Sequence, residues 1–165
     1  MLTLLFILLL VSVTYVVAAT IHQKYIPDSI SAIVYTFGKP GRLMWILWIW
    51  TCAFLLAPIL IEAVPDNRQF LTFFTVSALA FCGAMPLVLG ESNDAHNLCG
   101  IAAGILSQLC MIYICRECVI LWMLLPILRF LLTKESFNRT LTFILEVICW
   151  STIILALFIH YTIII

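Results

Sequence analysis

Long apolar runs separated by short polar breaks dominate the chain. All but one of the runs are long enough to predict a transmembrane helix, because about 20 mostly apolar residues span a hydrocarbon core of roughly 30 Å; the run at 119–133 is shorter. The runs cover residues 2–20, 43–63, 70–89, 98–115, 119–133 and 140–165. We therefore predict an all-α fold, an integral membrane bundle of six transmembrane helices, that forms a single polytopic membrane domain over residues 1–165.

The first apolar run has two interpretations. Val17-Ala18-Ala19 resembles the cleavage site of a secretory signal peptide. However, no Lys or Arg precedes the run, and the run exceeds a usual signal core of roughly 7–15 residues. A retained first span is therefore favoured, and removal of residues 1–19 is the alternative.

The linker between the first two runs, residues 21–42, carries a helical pattern of its own. After a Pro27-Asp28 start, apolar residues recur at i, i+3, i+4 and i+7. These residues are Ile30, Ile33, Val34 and Phe37. The pattern predicts a short interfacial amphipathic helix that lies on the membrane surface.

Composition supports the membrane class independently of the pattern. Apolar residues make up 65% of the chain and charged residues 10%, against about half and a quarter in ordinary soluble domains. A soluble core of this size could not hide so much apolar surface, so the lipid bilayer is the expected partner. The formal net charge is zero, which gives no electrostatic support for a nucleic-acid partner.

The eight cations predict an orientation. With six crossings, one side of the membrane holds Lys24, Lys39, Arg42, Arg129, Lys134 and Arg139. The other side holds Arg68 and Arg116. Because short loops rich in Lys and Arg stay in the cytoplasm, we predict both termini on the extracytoplasmic side.

The stretch from residue 90 to 108 begins as the most polar part of the chain and continues into an apolar run. A helix would align a ridge of residues spaced four apart, namely His96, Gly100, Gly104 and Gln108. One interpretation is helix packing, because Gly100 and Gly104 form a Gly-x-x-x-Gly pair that lets helices approach closely in lipid. The other is a small polar site at the membrane surface, formed by His96 with Asp94 and Glu91.

Glu146 is the acid placed well inside a predicted span, and Arg129 lies at a similar depth in the preceding one. An ionised carboxylate there costs about 2.5–3.5 kcal/mol on insertion scales, so a partner is expected. Three interpretations are open. Glu146 forms a structural ion pair with Arg129, or it serves a proton- or ligand-coupled role, or it is a neutral acid hydrogen-bonded to another helix.

Cys115 and Cys118 form a Cys-x-x-Cys pair between the fourth and fifth runs, which suits thiol–disulfide exchange. Membrane thiol oxidases normally need a second pair in a water-exposed loop. The other five cysteines all fall inside predicted spans: Cys52, Cys82, Cys99, Cys110 and Cys149. A redox pair is therefore the less favoured reading beside buried apolar cysteine.

No nucleotide-binding loop, catalytic serine motif or hydrolase signature is present in the sequence. Glu91, Asp94 and His96 are residue types that bind metals. A metal site needs about three firmly positioned ligands, however, and the sequence does not position these three together. We therefore predict no catalytic residue, no cofactor and no metal.

Several short motifs match a known group of proteins. They are Ile26-Pro27-Asp28-Ser29-Ile30-Ser31-Ala32, Gln69-Phe70-Leu71, Gly83-Ala84-Met85-Pro86, His96, and Phe143-Ile144-Leu145-Glu146. Through them the chain resembles small multi-pass membrane proteins of bacteria and their phages, a group of uncharacterised function. The resemblance implies the architecture and a bacterial inner membrane, and it supplies no activity, ligand or catalytic residue.

Two classes of function follow. The first is a non-enzymatic membrane protein that binds a lipid or small hydrophobic molecule, or a membrane partner. The second is a small transporter or channel with an intramembrane acidic residue. Because six short spans make a slim bundle, a conducting form is expected to be a homo-oligomer. A membrane thiol–disulfide oxidoreductase is the third and weakest candidate.

Overall fold

The computed structural model describes residues 1–35, 38–88 and 93–164, and these residues contain helix and no strand. The all-α prediction is therefore confirmed. The α-helices are α1 (Leu2–Gln23), α2 (Gly38–Ala63), α3 (Gln69–Val88), α4 (Asn93–Cys115), α5 (Leu124–Leu131) and α6 (Lys134–Ile159). Short 3₁₀ helices cover Ser31–Tyr35, Asp66–Arg68 and Arg116–Met123, and a π-helical turn covers His160–Ile164.

Within the described residues, five helical stretches are long and apolar enough to cross a membrane. They are Leu2–Gln23, Pro40–Ala63, Asp66–Met85, Asp94–Leu131 and Lys134–Ile163. Large apolar side chains cover the outside of the bundle as well as its core; examples are Leu10, Phe54, Phe73, Ile120 and Phe130. Helices that are apolar on all sides are typical of membrane spans.

The first two helices run antiparallel. The Tyr15 ring stacks on the Trp48 ring at 4.6 Å between centroids, and the Ser12 hydroxyl lies 3.8 Å from the Cys52 thiol. The Trp48 indole N–H also donates to the Val11 carbonyl at 3.0 Å. Leu5 and Leu8 are fully buried against the rest of the bundle. The first apolar run is thus an integral part of this fold.

Helices α3 and α4 also run antiparallel, whereas α4 and α6 run parallel. Thr75 contacts Cys110 near one end of the α3–α4 pair, and Cys82 contacts His96 near the other. A Cβ on Gly104 would meet the Cys149 thiol, and four residues later Gln108 accepts a bond from Thr152. Residue numbers therefore rise together along α4 and α6.

The chain reverses direction at the end of α4. The Trp122 indole N–H donates to Oε1 of Gln108 at 3.1 Å, although fourteen residues separate them in sequence. Fourteen residues of uninterrupted helix would span about 21 Å. Cys115 leaves helical geometry with φ −158° and ψ 89°, which starts the return.

The structure has five apolar stretches within the described residues, whereas the sequence predicts six spans, because the fourth and fifth predicted spans are joined on either side of this reversal. The predicted span at 98–115 and most of the span at 119–133 fall within one apolar stretch, Asp94–Leu131. Length and apolar character alone thus do not confirm the count of six. The returning part, residues 116–131, combines a 3₁₀ helix with an α-helix and covers about 28 Å.

These directions give the bundle two ends. The end of α1, the starts of α2, α4 and α6, and the end of α3 lie together; we call this the His96 end. The opposite end holds the first residues of α1 and the last of α6, and there the Tyr161 hydroxyl donates to the Ile59 carbonyl at 2.9 Å. We call it the Tyr161 end.

The sequence pattern predicted an amphipathic α-helix on the membrane surface for the linker, and this prediction is wrong. It forms a 3₁₀ helix, Ser31–Tyr35, whose Ile33 and Val34 are fully buried. Its Phe37 lies outside the described residues. The linker instead folds into the His96 end, and we call residues 27–35 the cap segment. The physical reason is that partners on α6 satisfy its backbone, so that it does not need the water of the interface.

Among the glycines in the described residues, the tightest helix contact is at Gly83 rather than at the predicted pair, Gly100 and Gly104. A Cβ on Gly83 would lie 2.6 Å from Cγ2 of Ile49 and 3.0 Å from its Cβ, so α2 and α3 need glycine there. A Cβ on Gly100 or Gly104 would have its nearest neighbour at 3.8 Å, which is ordinary contact. Moreover, these two glycines face different helices, α3 and α6.

Candidate functional site

Glu146 binds the backbone of the cap segment. Its Oε2 accepts a hydrogen bond from the Ile30 N–H, and one turn earlier the Phe143 N–H donates to the Asp28 carbonyl at 3.0 Å. From Lys134 to Glu146, α6 rises about 18 Å, so the contact is well inside the bundle. Non-helical backbone at such depth must find partners within the protein. The carboxylate therefore supplies an acceptor that a non-helical backbone requires.

Arg129 does not pair with Glu146. Its guanidinium lies 5.6 Å from the centroid of the Phe137 ring, and its side chain is exposed. Within the described residues, an ion pair instead joins Arg116 to Glu117 at 3.3 Å, on the exposed surface. Of the three interpretations of Glu146, the structure therefore does not support the ion pair with Arg129. The reason is that Arg129 turns toward an aromatic ring while Glu146 turns toward the cap segment.

His96 joins the first turn of α4 to α3. Its Nδ1 lies 3.1 Å from the Cys82 carbonyl and 3.8 Å from the Cys82 thiol. Its ring also lies 6.2 Å from the Trp45 ring, centroid to centroid. The histidine is therefore held between α2, α3 and α4, which agrees with its packing interpretation.

The polar group predicted around His96 is not assembled by the described residues. Asp94 is exposed while His96 is partly buried against Cys82, because residues two apart on a helix face different directions. Glu91 lies outside the described residues. No group of three or more metal-ligating side chains occurs in residues 1–35, 38–88 and 93–164.

Gln108 forms the most complete polar junction in the described bundle. Its Nε2 donates to the Cys149 carbonyl at 3.0 Å and more weakly to the Ser107 hydroxyl at 3.4 Å. Its Oε1 accepts from the Trp122 indole at 3.1 Å and from the Thr152 hydroxyl at 2.9 Å. We call this set the Gln108 junction. It ties α4, α6 and the returning stretch together, and it uses the hydrogen-bonding capacity of the amide.

Cys115 and Cys118 lie at the reversal, both buried and both free thiols. The Cys115 thiol donates to Oε2 of Glu117 at 3.4 Å. Burial keeps them from a disulfide on another protein, because exchange requires direct attack by one sulfur on another. The redox pair remains a prediction, and the burial favours the structural alternative.

An aromatic cluster that the sequence analysis did not identify lies beneath the cap segment. The rings of Tyr15, Trp45 and Trp48 are in mutual contact, with the Trp45–Trp48 centroids 5.3 Å apart. Val34 of the cap segment and Ile49 pack into the same cluster. The sequence signal was present as Trp45 and Trp48 on one helix face, but α1 and the linker complete the cluster only through tertiary packing.

The predicted site residues therefore divide between two places. Glu146 and His96 both lie at the His96 end, where His96 contacts Cys82 and Glu146 bonds to the cap segment. Gln108 lies deeper, at its own junction. They pack through separate partners, so the described contacts do not assemble a single site from all three.

Comparison of the chain with protein-family models, with curated proteins and with solved structures finds no match. The resemblance to small multi-pass membrane proteins of bacteria and their phages therefore stays a prediction. The functional argument rests on the geometry of the chain itself.

Proposed function

We propose that the chain is a non-enzymatic integral membrane protein that binds a lipid or small hydrophobic molecule at its His96 end. The observation that carries the proposal is the cap segment, which folds into that end and is bonded to α6 through Glu146. A segment folded over an aromatic cluster gives an apolar site that is closed from one side.

The proposal includes six membrane crossings. The reversal after Cys115 and the parallel course of α4 and α6 support a returning fifth segment of residues 116–131. Its length of about 28 Å is close to that of a hydrocarbon core. With six crossings the His96 end is cytoplasmic by its excess of Lys and Arg. Both termini then lie outside the cytoplasm, in a bacterial inner membrane.

The partners of the buried polar groups favour binding over conduction. A pathway for ions or polar solutes needs polar groups that face a passage. In the described bundle, Glu146 instead bonds to the backbone of the cap segment, and His96 and Gln108 bond to neighbouring helices. Each group thereby contributes to helix packing.

Topology is tested with reporter fusions at each terminus and in the turns near Arg68 and Lys134. We expect extracytoplasmic signals at both termini and near Arg68, and a cytoplasmic signal near Lys134. Opposite locations for the two termini would contradict an even number of crossings. A cytoplasmic location for both would contradict the assigned orientation.

Binding is tested by native mass spectrometry of the purified protein together with solute flux into proteoliposomes. A retained lipid or hydrophobic molecule without flux is the expected result. Flux that depends on Glu146, measured against a Glu62→Gln control at the opposite end, would instead support a transporter.

A further inference from the structure

We propose that Tyr15 and Trp45 anchor the polar head of a neutral amphiphile that carries a hydrogen-bond-accepting carbonyl, in a site beneath the cap segment. This inference rests on the proposed binding function and deepens it, because it names the location and the chemical class of the ligand.

The first observation is that both side chains bury a polar atom that lacks a partner within the described residues. Trp45 is only 2% exposed, and neither its Nε1 nor the Tyr15 hydroxyl has a hydrogen-bond partner in the described part of the chain. Leaving a buried donor unpaired costs about 1–3 kcal/mol. The two rings lie in one cluster, with centroids 6.4 Å apart.

Trp45 differs in this respect from the neighbouring tryptophans on α2, Trp48 and Trp50. The Trp48 indole N–H donates to the Val11 carbonyl at 3.0 Å, and that of Trp50 donates to the Ala80 carbonyl at 3.1 Å. The same helix thus directs two indoles to backbone acceptors on adjacent helices. The Trp45 Nε1, in the cluster beneath the cap segment, instead is buried without a partner among the described residues.

The chemistry of the two groups defines the ligand. An indole nitrogen can only donate, and a phenol can donate as well, so the complementary group must be an acceptor. The surrounding side chains include the apolar Val34, Ile46 and Ile49. An ionised head group would be costly to bury among them, whereas an ester carbonyl needs only the two donors. A neutral lipid ester meets these requirements.

The cap segment controls access to this site. Ile30 and Val34 both pack against the cluster that contains Trp45, and the Ile30 N–H is bonded to Glu146. The head group can therefore enter when the cap segment moves away, and the bond to Glu146 must open for that to occur.

The experiment uses the full chain in dodecyl maltoside micelles and a monoacylglycerol that carries a photoreactive diazirine in its acyl chain. The matched control probe is the corresponding alkyl ether of glycerol, which lacks the carbonyl. We expect saturable labelling by the ester, mapped to peptides that contain Tyr15 or residues 30–49. The ether should bind roughly tenfold more weakly, because it lacks the carbonyl oxygen that would accept bonds from the two donors.

Tyr15→Phe and Trp45→Phe each remove one donor and should each weaken binding of the ester several-fold to about tenfold. Trp150→Phe is the control, because it removes another buried indole N–H that has no partner among the described residues. It should leave the affinity unchanged. Thermal melting of each variant monitors folding, and Tyr15→Phe carries the test if Trp45→Phe does not fold.

The outcomes separate this inference from the proposed function. Saturable labelling elsewhere, or equal affinities for ester and ether and for the wild type and Tyr15→Phe, would overturn the inference and leave the binding function standing. If native mass spectrometry retains no hydrophobic molecule and neither probe labels saturably, both are overturned.

Discussion

The Gln108 junction and the cap segment use buried polar groups in opposite ways. At the junction, one amide bonds to α6 and to the returning stretch, and its donors and acceptor are all engaged. At the cap segment, Glu146 holds a non-helical stretch of backbone by one side-chain hydrogen bond, above a cluster in which two donors have no partner among the described residues. The comparison teaches that a buried polar side chain can join helices at one depth of the bundle, whereas at another depth it holds a segment that can separate from the helices.

The difference follows from the backbone that each group bonds. The junction joins helices, whose own N–H and C=O groups are already paired within each helix. The cap segment has a non-helical part that needs outside partners, and α6 supplies them at Glu146 and Phe143. Opening the cap segment therefore breaks few hydrogen bonds to α6, although it also exposes the buried Ile33 and Val34, whereas opening the junction separates three elements.

The largest expected effect concerns packing near the His96 end. Gly83→Ala should lower the free energy of unfolding by about 2–3 kcal/mol, because the added Cβ overlaps Ile49 between α2 and α3. Gly104→Ala, beside the Gln108 junction, is the matched control and should change it little. Unfolding in mixed micelles measures both. Equal losses for the two variants would show that the α2–α3 contact is not the tight one.

The next effect tests the junction. Gln108→Leu should lower the free energy of unfolding by about 1–2 kcal/mol, since the Trp122 indole loses its acceptor inside the bundle. The Thr152 hydroxyl retains a second acceptor, the Cys149 carbonyl. Ser107→Ala is the control, because its hydroxyl donates mainly within its own helix. A neutral Gln108→Leu would remove the contrast between the two regions.

The third effect is local rather than global. In a Ser31→Cys background, Glu146→Ala should raise the rate of labelling by a water-soluble maleimide by roughly tenfold, because the Ile30 N–H loses its acceptor and the cap segment opens more often. The melting temperature should fall less than in Gln108→Leu. Glu62→Ala, at the opposite end, is the control for removal of an acid. If Glu146→Ala leaves the labelling rate unchanged, Glu146 does not hold the cap segment.

The smallest effect concerns Arg129. Because its guanidinium lies over Phe137 on an exposed surface, Arg129→Ala should change the free energy of unfolding by less than about 0.5 kcal/mol. The double variant with Glu146→Ala should equal the sum of the two single variants. A coupling that makes Arg129→Ala more harmful than the double variant would restore the ion pair that the sequence suggested.

Part of the site could be predicted from the sequence. An acid deep in an apolar run signals that Glu146 has a partner, and four-residue spacing aligns His96 with Gln108. The partner of Glu146 could not be predicted, because it is a backbone N–H in a linker 116 residues away in sequence. Backbone donors exist at almost every residue, so sequence gives no signal for which one is used.

The same reasoning explains the other differences between the sequence predictions and the structure. The periodicity of Ile30, Ile33 and Val34 correctly marked a buried face, but it could not distinguish a surface α-helix from a 3₁₀ helix folded into the bundle. Gly83 was included in a motif, yet the requirement for glycine comes from Ile49 on another helix. Only the packed structure brings those two residues together.

The sequence by itself determined the helical class and the apolar character of the helices, because these depend on local composition and on run length. Tertiary structure decided the reversal after Cys115, the fold of the cap segment and the partners of Glu146, Arg129 and Gln108. Inside an apolar bundle a polar group can bond only a donor or acceptor that packing brings within reach, and that proximity is a property of the assembled helices rather than of any single one.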